Sequence, residues 1–200
     1  IKGWGGASDY KTYTASFSFP GKQGFCGGYI SPLILFFDGV RPQYLGNSAF
    51  PLYSKVKKIY WPEPGNNNAF FLATRNQQGK NFRKITSREQ LFGQDEKFEN
   101  GFEALKVHDK NKDGKIDSKD PIFKKLLLWN DYNGNGISDK GEIFTLKEKG
   151  ITAISLDYTL DRYHFKNRAA YRERGKFFYN DKSGAKKSSD IIDVWFGEYK

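Results

Sequence analysis

Apolar and polar residues alternate, run together or recur at helical spacing in different parts of the chain. The stretch DYKTYTASFSF (9–19) alternates polar with aromatic side chains, as a half-buried strand does. After the loop-like PGKQGFCGG (20–28), YISPLILFF (29–37) is a short continuous apolar run that reads as a buried strand ending at Asp38-Gly39. KVKKIYW (55–61) and NAFFLAT (68–74) are two further strands, and SREQLFG (87–93) is one short helical turn. The period then changes. Phe98, Phe102 and Leu105 fall at i, i+4 and i+7, one face of a helix. PIFKKLLLWN (121–130) predicts a second, shorter helix with Ile122, Phe123, Leu126 and Leu127 inward. Alternation returns in ITAISLDY (151–158), and AAYRERGKFFYN (169–180) and DIIDVWFGEY (190–199) flank a turn-rich segment as a hairpin.

These elements predict one compact α+β domain of three parts. A β-rich N-terminal part (1–96) and a C-terminal strand and hairpin (151–200) flank a central helix-loop-helix-loop unit at 97–150.

Composition sharpens this picture. Aromatics make up 17% of the 200 residues, so the chain is rich enough in them to fold. No apolar run is long enough to span a membrane as a helix. The single Cys26 excludes an intrachain disulfide, and two histidines disfavour a multi-histidine metal site. With no Met, the chain reads as a processed mature chain or an excised piece whose targeting segment is already gone.

The formal charge of +10 suggests an anionic partner. Its distribution is uneven: residues 1–96 carry +6, residues 97–160 are neutral and residues 161–200 carry +4. An anionic surface, lipopolysaccharide or another glycan, or an acidic partner protein would meet the ends rather than the centre. Nucleic acid is disfavoured.

The centre holds the clearest chemistry. DKNKDGKIDSKD (109–120) and DYNGNGISDKGE (131–142) each carry side-chain oxygens at positions 1, 3, 5, 9 and 12, with Gly at position 6. Calcium takes six to eight oxygen ligands, and a twelve-residue loop can wrap it from those positions. The first ligand set is Asp109, Asn111, Asp113, the Lys115 carbonyl, Asp117 and Asp120. The second is Asp131, Asn133, Asn135, the Ile137 carbonyl, Asp139 and Glu142. The first loop also contains Lys110, Lys112, Lys115 and Lys119, which offset its ligand charge, and it ends in the shorter Asp120. The second loop should therefore bind calcium more tightly. Both should bind weakly, at about 10⁻⁴–10⁻³ M or somewhat better. Position 8 is Ile116 in the first loop but Ser138 in the second, so back-to-back pairing of the loops is not expected, and Ile137 should reach another part of the core.

Residues 98–158 resemble the EF-hand-like calcium-binding segment of large secreted bacterial proteins of the RTX (hemolysin-type) kind. The resemblance extends weakly to PLILFFDG, to WPEPGNNNAFFLATRNQQGKNFRKITSREQLFG and to the closing hairpin. It implies a calcium-binding module, secreted, extracellular, surface-bound or periplasmic in a bacterium, with calcium mainly structural. It also implies a short helix around TLKEKG. Two further acidic loops of the resembled pattern are not matched: Thr74, Asn76 and Gln78 stand in one place, and only Asp38 remains in the other. The alternatives are a calcium-dependent adhesin using the basic flanks, a dockerin-like interaction module, and an enzyme with its site in the N-terminal third. No nucleophile, metalloprotease or phosphate-loop motif is present, and Cys26, His108 and His164 read as structural or surface residues.

Overall fold

The computed structural model describes residues 31–52, 58–75, 83–95, 97–165 and 168–199, with side chains at 162–165 left aside. The expected strand at 9–19, Cys26, Asn76, Gln78 and most of the 55–58 basic cluster lie outside the described residues.

Ten strands and one short α-helix are found among the described residues. The strands are β1 (Leu33–Phe36), β2 (Gly46–Ser48), β3 (Ile59–Trp61), β4 (Ala69–Thr74), β5 (Lys115–Asp117), β6 (Leu126–Trp129), β7 (Ile143–Thr145), β8 (Ile151–Phe165), β9 (Ala169–Asn180) and β10 (Lys186–Phe196). The helix, α1, spans Gly101–Lys106. Eight strands form one sheet in the order β5-β8-β9-β10-β1-β4-β6-β7, and β2 and β3 pair separately. All its pairings are antiparallel. The expected α+β arrangement around a central helix-loop-helix pair is therefore corrected: the fold is mostly β.

The short apolar runs explain the centre of the sheet. β1 is buried at every position because its side chains alternate between two cores. Ile34 and Phe36 join Phe71, Leu127, Trp129 and Val194 on one face. Leu33 and Leu35 join Phe70, Leu126, Leu128 and Ile191 on the other. The same two-sided burial overturns the helix expected over 121–130. Residues 123–125 form one 3₁₀ turn, and LLLW continues as β6 beside β4. Four consecutive apolar residues leave an amphipathic helix no polar face, whereas a strand covered on both sides buries all four.

The expected first helix is present but short. Asn100 caps it, its side-chain oxygen accepting the Glu103 N–H at 3.0 Å. Phe102 and Leu105 seal the second core. Asp193, fully buried at a bulge in β10, accepts the Gly101 N–H at 2.6 Å and holds the start of α1 against the sheet. Burial, above all, raises the Asp193 carboxyl to about 7, and buried Glu173 pushes in the same direction. TLKEKG forms turns around Leu146–Gly150 rather than a helix. β9 and β10 form the expected hairpin, its turn tied by the Asp181 carboxylate accepting from Ser183 and Ala185 N–H at 2.9 and 3.0 Å. No helix among the described residues is long and apolar enough to cross a membrane.

Candidate metal-binding loops

The first twelve-residue loop leaves α1 and runs into β5. The second is the turn of the β6–β7 hairpin, whose last register pair is Trp129 with Ile143. Helices therefore do not flank both loops, and the EF-hand expectation is corrected on this geometry. The loops do not pair with each other through position 8. Ile116 is fully buried and pairs with Ile154 of β8. Ser138 is buried elsewhere, and its hydroxyl donates to the Ile85 carbonyl at 3.0 Å while accepting the Ile85 N–H at 2.9 Å. A serine thus stands in for a backbone pair. Ile137 does not reach the core, since it is 56% exposed.

Despite these different settings, the two loops share one hydrogen-bonded frame. In the first, the Asp109 carboxylate at position 1 accepts the N–H groups of Asp113 and Gly114 at 3.3 and 3.0 Å. In the second, Asp131 accepts those of Asn135 and Gly136 at 3.1 and 2.7 Å. At position 12, Asp120 accepts from Lys110 and Asp117 N–H at 2.8 and 3.1 Å. Glu142 does the same for Tyr132 and Asp139 at 3.1 and 2.9 Å. Positions 4 and 6 are left-handed in both, at Lys112 and Gly114 (φ 56° and 79°) and at Gly134 and Gly136 (φ 70° and 73°).

The electrostatics of the loops differ. In the first, the Lys115 ammonium lies 3.3 Å from Asp117 and 3.9 Å from Asp113, and Lys119 lies 3.8 Å from Asp113. The Lys119 backbone N–H, followed by the Lys115 side chain, holds the Asp117 carboxyl below its ordinary range. Asn111 donates its amide to Asp113 at 2.9 Å. In the second loop, the amides of Asn133 and Asn135 both converge on one Asp139 oxygen at 2.9 Å. Those two contacts hold exposed Asp139 below its ordinary value. Asp131 and Glu142 are buried against aromatic rings. The Trp61 indole N–H donates to Asp131 at 2.5 Å, and Trp129 approaches Glu142 at 3.5 Å. Burial raises the Asp131 carboxyl, and the neighbouring Glu142 charge adds to the rise.

Sequence spacing did not reveal these indoles. Trp61 lies 70 residues before Asp131 and reaches it only because β3 packs over the sheet face bearing Phe71 and Trp129. Lys115 and Ile137, whose carbonyls are the expected position-7 ligands, stand at the start of β5 and at an exposed position of the second loop. Among the described residues, no group of three or more Asp, Glu, His or Cys side chains is drawn together closely enough to hold an ion. Amide and carbonyl oxygens would have to complete either site. His108 is half-buried at the end of α1, its ring edge-on to Phe92 at 6.0 Å.

A family model of the SPM domain matches residues 38–197, from the end of β1 to just past β10. The chain belongs to the SPM domain family. This membership, with the mostly β architecture, replaces the RTX-type EF-hand segment expected from the loop spacing. The chain is also similar to the iron-regulated protein FrpA of Neisseria meningitidis serogroup C, at 32% identity over 109 residues. That match covers 52% of this chain and 10% of the relative, so the chain spans a small part of that protein's length.

Proposed function

We propose that this SPM domain binds calcium through residues 109–120 and 131–142, with the metal acting mainly as a structural cross-link. The observation that carries the reading is the common frame of the two loops. Positions 1 and 12 brace the same N–H groups in both, although one loop enters a strand from a helix and the other closes a hairpin. Such a frame presents oxygens toward the loop centre, and a hard cation there would offset the mutual repulsion of the carboxylates.

The second loop is the tighter site in this reading. The first-loop carboxylates already have lysine ammonium partners, which a calcium ion must displace or tolerate. The second-loop carboxylates meet indole, amide and backbone N–H groups instead. The assignment extends to a secreted or surface-bound bacterial protein, where calcium concentrations suit weak loops. The similarity to a bacterial protein supports that placement. The basic flanks favour an anionic-surface role less, since Arg174, Lys176 and Lys187 are engaged by Asp161, Asp190 and Asp181.

Calcium titration followed by tryptophan fluorescence tests the reading on the wild type, Asp109→Ala and Asp139→Ala. Asp139 is exposed, so its removal leaves the buried frame standing. The tighter event should weaken at least tenfold in Asp139→Ala and survive in Asp109→Ala. Calcium should also raise the wild-type melting temperature. A melting temperature unmoved by saturating calcium refutes the reading.

A further inference from the structure

The geometry points to a second ligand site: a cationic cleft that accepts a small organic oxyanion, with carboxylate or phosphate oxygens carried on an apolar body. The cavity is about 720 Å³, the size of a small-molecule site, and is lined by the end of β4, residues 89–92, the start of the first loop and the turn before β6. Its cations are Arg75, Lys110 and Lys125, and half-buried His108 sits beside them with its imidazole pushed down by burial and by Lys110 and Lys125. Glu89 is the acid among the lining residues, and its carboxylate is engaged by the neighbouring Arg88 at 3.2 Å. Leu91, Phe92, Pro121 and Ile122 supply an apolar wall.

Backbone contacts join the segments that carry these cations. The Arg75 N–H donates to the Lys125 carbonyl at 3.1 Å, joining the end of β4 to the turn before β6. The Lys110 N–H is fixed on Asp120 at 2.8 Å, and its ammonium rests on the Val107 carbonyl at 3.1 Å. Gln90, also in the lining, is latched beside Arg75, its amide donating to the Thr74 and Lys84 carbonyls at 3.3 and 2.9 Å. Lys110 and Lys125 both act on the His108 ring, and an oxyanion entering the cavity offsets that positive field. Two bound oxygens among three cations, with a ring against Phe92 and Ile122, use both halves of the lining. The site is separate from the proposed calcium positions, although Lys110 belongs to the first loop.

The test uses the whole chain in calcium-containing buffer, with phthalate as the probe and acetate as the control lacking the ring and the second charge. Backbone amide resonances of residues 90–92, 108–110 and 122–125 should shift saturably with phthalate. Acetate should bind at least tenfold more weakly. Arg75→Gln with Lys125→Gln should lower phthalate affinity at least tenfold while leaving the tighter calcium event in place. Lys125→Gln alone, checked by an unchanged amide spectrum elsewhere, should lower it several-fold and serves if the double variant does not fold. Unchanged affinity in the folded variants overturns the proposal, as do shifts that do not saturate or that spread along β9 and β10.

Discussion

Gly114 and Gly136 occupy the same loop position with nearly the same left-handed φ, 79° and 73°. Replacing each by alanine therefore separates backbone strain from packing. An L-residue in this conformation costs about 1–2 kcal/mol at either site. At Gly114 that is the whole cost, because nothing among the described residues lies within 4 Å of an added Cβ. At Gly136 the added Cβ would fall 1.8 Å from the Ser48 hydroxyl oxygen and 3.4 Å from the Phe50 Cβ. Ser48 would have to turn away and release the Phe50 N–H, which it accepts at 2.9 Å. Overpacking adds about 1–3 kcal/mol, and the lost hydrogen bond roughly 1 more. The expected loss is about 3–6 kcal/mol for Gly136→Ala and about 1–2 kcal/mol for Gly114→Ala. Urea unfolding should be followed by circular dichroism and tryptophan fluorescence together, so that coincident transitions establish two-state behaviour. With a slope of roughly 2–3 kcal/mol per molar, the two variants should differ by about 1 M in midpoint. Equal midpoints would show that the second loop does not pack on Ser48, and the account of its burial would fail.

The Ser138 hydroxyl bridges the Ile85 backbone in a buried setting, so Ser138→Ala should cost about 1–3 kcal/mol in the same assay, whereas Ser138→Thr, which keeps the hydroxyl, should recover part of it. A pH series should reveal Asp193. Its carboxyl is held near 7 in the fold against an ordinary 3.8, so between those values the folded chain binds more protons than the unfolded one. Asp193's own contribution to stability should be full below the lower value and be lost, by on the order of a few kcal/mol, as pH rises to about 7. Asp193→Asn should flatten that slope, and an unchanged slope would assign it to another group.

Residue patterns made much of the sheet legible. NAFFLAT anticipates β4 to within a residue, and AAYRERGKFFYN coincides with β9. Both alternate between faces with different neighbours, which is the information a strand carries locally. PIFKKLLLWN was misleading for a physical reason. Its apolar residues satisfy a helical face and a doubly buried strand equally well, and only the neighbouring β4 and β7 decide between them. Both twelve-residue segments carry a left-handed glycine at position 6, but their oxygen spacing carried with it an assumption of flanking helices, where the second segment is flanked by strands.

By itself, then, the sequence determined which oxygen-bearing residues each loop carries, where the chain must turn, and that the net positive charge lies outside the central segment. These are properties of neighbours along the chain. Tertiary structure alone decided what each loop rests on. Asp131 and Asp109 begin loops of the same pattern, yet one lies against the Trp61 indole and the other opens toward solvent. The difference arises because β3 packs on the sheet face behind the second loop, whereas among the described residues nothing lies within 4 Å of a Cβ added at Gly114 of the first. The cationic cleft was equally hidden, since Arg75, Lys110 and Lys125 meet only where β4, β6 and the first loop converge.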